Sequence, residues 1–220
     1  MESYSFLENI RDFFWQILLP TKCLGCGLKN EMICPLCLSK INYSDKVTDK
    51  DIIGLFDYQN PLMKKIIWEL KYHHRHYLGQ KLGQVLYQAL LEDLSELETF
   101  SRGQPIIIIP VPISKRRFHY RGYNQAESIA RGFCRAGGFL FQRKIIYKKL
   151  ENRPQAKITS RSRRLKNIIG VFGLKNKDLV KNKTIIVIDD VTTTGGTLNE
   201  IMKILKQAGA KKVIGLAVAH

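Results

Sequence analysis

The sequence predicts an α/β protein, a parallel sheet flanked by helices, preceded by a small four-cysteine module. Three stretches carry that expectation. Thr184 to Ile188 (TIIVI) is a short, unbroken run of β-favouring residues, as expected of a strand buried on both faces of a parallel sheet, and it leads through Asp189 and Asp190 into a polar loop and an amphipathic run. Gln104 to Pro112 (QPIIIIPVP) reads as a second fully buried strand, ended abruptly by its prolines. Cys23-Leu-Gly-Cys26 and Cys34-Pro-Leu-Cys37 stand seven residues apart near the start.

A chain of 220 residues can bury one sizeable α/β core plus an appendage. The expected division is residues 1–45 for the cysteine module with a preceding helix and 50–220 for the main domain, joined by a polar linker near Ser44 to Lys50. Lys plus Arg exceed Asp plus Glu by 36 to 19, a formal charge of +17 that favours polyanionic partners such as nucleic acid or diphosphates. Fourteen of the cations fall between Arg143 and Lys183, with only Glu151 and Asp178 against them. No uninterrupted apolar run reaches membrane-spanning length, and Glu2 and Glu8 do not suit a secretory leader, so a cytoplasmic protein is expected.

From the N-terminus, Phe6, Ile10, Phe13, Phe14, Ile17 and Leu18 form one stripe of a helix over residues 4–18. Its polar face lacks the lysines of membrane-surface helices, which favours docking on protein. The two Cys-x-x-Cys knuckles then offer Cys23, Cys26, Cys34 and Cys37 as tetrahedral thiolate ligands for a structural zinc ion. A redox pair or disulfides are the alternatives, and Cys134 is left over.

A strand near Ile53 to Tyr58 leads through Pro61 into two helices, near Leu62 to Lys71 and Tyr77 to Leu91. Between them KYHHRHY, with Lys71, His73, His74, Arg75 and His76, reads as a solvated basic corner open to contact with a phosphate rather than a metal site, because adjacent histidines point in different directions. After QPIIIIPVP, the cations Lys115, Arg116, Arg117 and Arg121 are expected in a loop beyond a strand's C-terminal end, where open parallel sheets bind ligands. Asn124 with Glu127 makes a capping-box-like start to the next helix. Ile145 and Ile146 suggest a third strand. The aperiodic, basic stretch ENRPQAKITSRSRRLKNIIGVF that follows suggests a lid, and Lys212 to Ala219 a terminal strand after a helix closed by Gly209.

In the turn after Asp190, Thr192, Thr193, Thr194, Gly195, Gly196 and Thr197 combine close backbone approach, hydroxyl donors and the amides of a helix N-terminus, which makes an anion cradle. The paired acids suit neutral vicinal hydroxyls instead. A phosphate and a diol together point to ribose 5-phosphate.

The stretch VIDDVTTTGGT resembles the 5-phosphoribosyl diphosphate (PRPP) motif of the type I phosphoribosyltransferases. That resemblance implies a type I phosphoribosyltransferase-like fold, Mg²⁺ with PRPP, Asp189 and Asp190 on the ribose hydroxyls, and Thr192 to Thr197 on the 5′-phosphate. Thr193 stands where the 6-oxopurine enzymes carry an acid, which disfavours that branch. The cations of the Lys115 to Arg121 segment would meet the diphosphate, with Arg161 and Arg164 of the lid stabilising the leaving group as the C1 bond breaks. Taken with the cysteine knuckles, PVP and RGYNQA, Arg153-Pro-Gln155, Arg164 to Asn167 and Val171-Phe172, the chain from Cys23 onward is similar to the ComF family. This resemblance implies a zinc module, a phosphoribosyltransferase-like domain, and a link to DNA uptake in natural transformation beside a helicase-like partner. A metabolic transferase joining ribose 5-phosphate to a base, or a non-catalytic interaction module, are the alternatives. The charge and the aromatics Phe118, Tyr120 and Tyr123 also suggest single-stranded DNA as a partner.

Overall fold

The computed structural model describes residues 21–44, 51–149 and 170–220. The expected N-terminal helix and most of the basic lid, including Arg161 and Arg164, lie outside the described residues. The chain divides into two compact units at Asn42/Tyr43.

The first unit is a pair of knuckles. Cys23 donates its amide to Leu28 O and accepts the amide of Gly27 on its own carbonyl, and Gly27 sits at φ +79° where a side chain would be strained. The second knuckle ends in a single helical turn, α1 (Pro35–Leu38), entered through Cys34 with proline in its first turn. Among the described residues of this unit, Leu24, Ile33 and Ile41 are the buried apolar residues apart from cysteine, a small core for the two knuckles.

The second unit carries a five-stranded parallel sheet of order β1-β7-β6-β2-β3, formed by β1 (Ile52–Phe56), β2 (Ile107–Pro110), β3 (Leu140–Phe141), β6 (Thr184–Val191) and β7 (Lys212–Ala219). Every pairing is parallel, with Ile107 opposite Ile185 and Pro110 opposite Ile188. The two apolar runs thus become adjacent central strands, and their C-terminal ends lie at the same end of the sheet. β4 (Ile146–Lys148) does not join them. It pairs antiparallel with β5 (Phe172–Leu174), and this small ribbon brackets the basic segment.

Alternation sorts the strand residues between two faces. Ile107, Ile109, Ile185, Val187 and Val213 share one core with Ile145, Ile146, Phe172 and the apolar stripe Leu198, Ile201, Met202 and Leu205 of α7 (Gly196–Gln207). Its described residues also form the helices α2 (Pro61–Tyr72), α3 (His76–Ala89), α4 (Leu91–Ser101), α5 (Lys115–Arg121) and α6 (Gln125–Gly137), with α6 packed on β2, β6 and α3. Two helices beyond the sequence expectation appear here. One is α4; the other is α5, where a loop was expected, because Ser114 accepts the Arg117 amide as N-cap and Gly122 closes the helix at φ +71°. The capping box is also incomplete. Asn124 caps the Ala126 amide, but Glu127 turns to Arg131 and Arg143 rather than back to the cap.

α3 and α6 cross backbone to backbone. A Cβ on Gly83 would lie 2.0 Å from Ile129 O, and one on Gly132 would lie 2.0 Å from Gln80 O. Neither neighbour can swing aside. Gly132→Ala is therefore expected to force the helices apart and destabilise the protein by about 3 kcal/mol or more, against the small gain that alanine ordinarily brings to a helix interior. Urea denaturation measures this, and a variant as stable as the wild type would contradict the close crossing.

Candidate functional site

In the N-terminal unit, one ligand atom from each of Cys23, Cys26, Cys34 and Cys37 lies within 4.8 Å of all the others, with Cys26 exposed and the rest buried. Sγ of Cys26 and Cys34 are 3.6 Å apart, too long for a disulfide. Thiolates about 2.3 Å from a central zinc form a tetrahedron with edges of about 3.8 Å, so the cluster fits that ion. Burial raises the Cys23 thiol, but N–H groups of Cys26, Cys34 and Gly25 together outweigh it and bring the thiol down to about 6. The Cys34 amide, 3.4 Å from Cys23 Sγ, is one of these donors. Such amide-to-sulfur bonds favour the thiolate that a metal requires. Four thiolates around one ion would leave no ligand position open, which is the donor set of a structural rather than a catalytic site.

The second site lies at the C-terminal end of β6. The strand continues past Ile188 to Val191, so both carboxylates project from its last residues, half-buried. Asp189 Oδ1 accepts the Asp190 amide at 2.8 Å, and Asp190 Oδ1 accepts the Val191 amide at 2.7 Å. The Thr192 amide is engaged by Ala219 O of β7 at 2.9 Å and its side chain is buried, so the outward part of the turn begins at Thr193. Thr193 is exposed, and Thr194, Gly196 and Thr197 are partly so. Gly195 takes φ +71° as the N-cap of α7, which turns the chain so that the first amides of a twelve-residue helix open beside the acids.

Beside it, β2 delivers the cations. Val111 donates its amide to Ile188 O, so the chain leaves β2 next to β6 and enters α5, where Lys115, Arg116 and Arg117 are exposed. Arg121 donates to Gln125 Oε1 at 2.9 Å and lies 5.7 Å from the centre of the Tyr72 ring. The structure therefore brings the acid pair, the Thr/Gly turn and the basic segment to one end of two neighbouring strands.

Two sequence readings need correction. Lys71 is not part of a solvated corner: from the last turn of α2 its Nζ reaches Asp190 Oδ2 at 3.2 Å. Nor can Tyr123 stack on a ligand. It is 5% exposed, its phenol donates to Leu70 O, and His76 packs on its ring at 3.9 Å. Phe118 and Tyr120 are exposed, and sequence reasoning missed Trp68 and Tyr72 of α2, also exposed, with the Tyr72 and Tyr120 rings 6.5 Å apart. Their helical spacing is visible in the sequence, but not the approach of Tyr72 to α5.

Burial, and then the neighbouring Asp190 charge, push the Asp189 carboxyl from an ordinary value of 3.8 to about 7. Between those values the folded state holds a proton that the unfolded chain releases, so stability falls as pH rises from about 4 to about 7 and stays low above that. Asp189→Asn is expected to abolish this decline and to stabilise the protein at pH 8 by a few kcal/mol, at most about 4. Urea denaturation of both proteins at pH 5 and pH 8 tests it. Parallel pH dependence in wild type and variant would contradict a raised carboxyl.

Residues 95–220 match the phosphoribosyl transferase domain. The chain is 28% identical over 204 residues to Competence protein F of Haemophilus influenzae, covering 87% of this chain and 86% of that one. It is 30% identical over 196 residues to the DNA utilization protein YhgH of Escherichia coli O157:H7, covering 88% and 81%. With Competence protein ComFC of Streptococcus pneumoniae the identity is 31% over 205 residues, covering 87% and 84%. None of the helices among the described residues is long and apolar enough to cross a membrane. A four-cysteine cluster ahead of a parallel-sheet phosphoribosyl transferase domain, with similarity along most of the chain, makes this protein a member of the ComF family.

Proposed function

We propose that the protein binds PRPP with Mg²⁺ at the end of β2 and β6 and acts in DNA uptake or related DNA handling. The observation that carries this reading is the position of Asp189 and Asp190 at the end of a central strand, followed directly by the left-handed Gly195 and the N-terminus of α7. Carboxylates accept from the ribose hydroxyls, and the Thr193 to Thr197 turn donates to the 5′-phosphate. Lys115, Arg116, Arg117 and Arg121 supply positive charge for the diphosphate, and Arg161 and Arg164 belong to the same role. Mg²⁺ enters with the diphosphate and screens its charge. The four cysteines hold a structural zinc ion.

The relatives named for competence and DNA utilization direct the second half of the proposal. Exposed Tyr72, Phe118 and Tyr120 around the α5 cations, with exposed Trp68 next to Tyr72 on α2, on a chain of formal charge +17, combine stacking surfaces with phosphate-binding charge. A helicase-like competence protein is the partner this role implies. Fluorescence anisotropy of a labelled single-stranded oligonucleotide is expected to show binding that is weakly sequence-selective and falls steeply with salt. Release of diphosphate from PRPP with one of a panel of nucleobases, and no oligonucleotide binding at about 150 mM salt, would instead make the protein a metabolic transferase.

A further inference from the structure

Two carboxylates at a strand end repel the very polyanion that the following turn is shaped to hold. The counter-charge comes from α2. Lys71 Nζ lies 3.2 Å from Asp190 Oδ2, with side chains 22% and 13% exposed, so the pair is largely shielded from solvent. An ammonium carries three N–H donors, and among the described residues Asp190 is the ion-pair partner of Lys71, which leaves donors for a ligand. The lysine is also held from behind. Buried Tyr123 donates its phenol to the carbonyl of Leu70, the residue preceding Lys71, and the Tyr123 ring is packed against His76 and lies 6.4 Å from His74. The same ammonium stabilises the charged form of Asp189, whose proton affinity burial raises. One acid is thus paired and the other is readily protonated, and the site presents far less negative charge than its sequence suggests.

We propose that Lys71 is a ligand-binding cation of this site: it cancels the Asp190 charge beside the sugar and donates to a phosphate oxygen of the bound sugar diphosphate, with Tyr123 as the residue that positions it. The inference rests on the PRPP reading above and adds to it a cation from a helix outside both ligand-binding segments. A lysine that merely tied α2 to β6 would affect folding and leave ligand affinity alone.

The test is titration calorimetry of PRPP with Mg²⁺ on the full chain, comparing wild type with Lys71→Met, Lys71→Arg and Tyr123→Phe. Lys71→Met is expected to bind PRPP about tenfold more weakly or worse, with a shallower dependence of affinity on salt, because a charge-assisted contact is lost and Asp190 is left uncompensated. Lys71→Arg keeps the charge and should stay within about threefold of wild type. Tyr123→Phe should fall between them, and the double variant with Lys71→Met should bind no more weakly than Lys71→Met alone, since both changes act on one contact. Equal affinity of wild type and Lys71→Met overturns the role of Lys71 while leaving the PRPP site standing. Absence of binding by wild type overturns the site and this role together. Should Lys71→Met fail to fold, acetylation of wild-type lysines read by mass spectrometry decides the matter. PRPP should protect Lys71 relative to exposed Lys203, and labelling of Lys71 that PRPP does not change overturns the proposal.

Discussion

Cys26→Ser is expected to strip the N-terminal unit of its zinc and to unfold it, while the sheet domain survives. Among its described residues the buried apolar side chains beyond cysteine are Leu24, Ile33 and Ile41, and the regular structure there is one helical turn and an isolated bridge between Lys22 and Lys29, so the metal is expected to hold the shape of the knuckles. Structural zinc sites of this type contribute on the order of 10 kcal/mol of apparent binding energy, which is folding energy when no preformed site exists in the unfolded chain. Cys26 is the exposed ligand, so serine at that position creates no cavity, and the loss reports the metal bond itself. Elemental analysis of freshly purified wild type should give one zinc per chain, and the variant should give none, with circular dichroism retaining the signal of the sheet domain. A metal-free wild type, or a variant that keeps its zinc, contradicts the site.

Asp190→Ala and Gly195→Val are expected to cost the largest share of PRPP affinity. The first removes acceptors for a ribose hydroxyl and frees Lys71 from its partner, and a lost hydrogen bond to a charged group weakens binding by about 1 to 3 kcal/mol. The second acts through the backbone. Gly195 sits at φ +71°, a conformation that costs an ordinary side chain about 1 to 2 kcal/mol and a β-branched one more, so valine rotates the turn and moves the amides at the start of α7. Both variants should keep the buried core of β6, whose five residues from Thr184 to Ile188 are untouched. Variants that bind PRPP as well as wild type would remove the turn from the ligand.

The parts of the fold legible in the sequence are those whose cause is local. An apolar run ending in proline, or in paired acids and a Thr/Gly turn, can be little else than a buried parallel strand with its loop, and β2, β6 and α7 stand where that pattern puts them. Paired Cys-x-x-Cys knuckles carry their geometry in their spacing. The short helix α5 was not legible, because three cations at a helix N-terminus oppose the helix dipole, and what decides the matter is the cap at Ser114 and the left-handed Gly122. β3, with two residues, is too short to show a period. The partners across the fold were hidden for another reason: Lys71 reaches Asp190 over 119 positions of sequence, and Tyr123 reaches Leu70 over 53, through a corner that composition alone makes look solvated. The Gly83 and Gly132 contacts are likewise visible only once α3 and α6 are placed together.

Titration calorimetry of PRPP into the wild-type protein with Mg²⁺ tests the central claim most directly. A single saturable binding event, abolished or strongly weakened in Asp190→Ala, is the expected result. No binding heat with the unaltered, zinc-loaded protein, or equal binding by wild type and Asp190→Ala, would contradict a PRPP site at the end of β6.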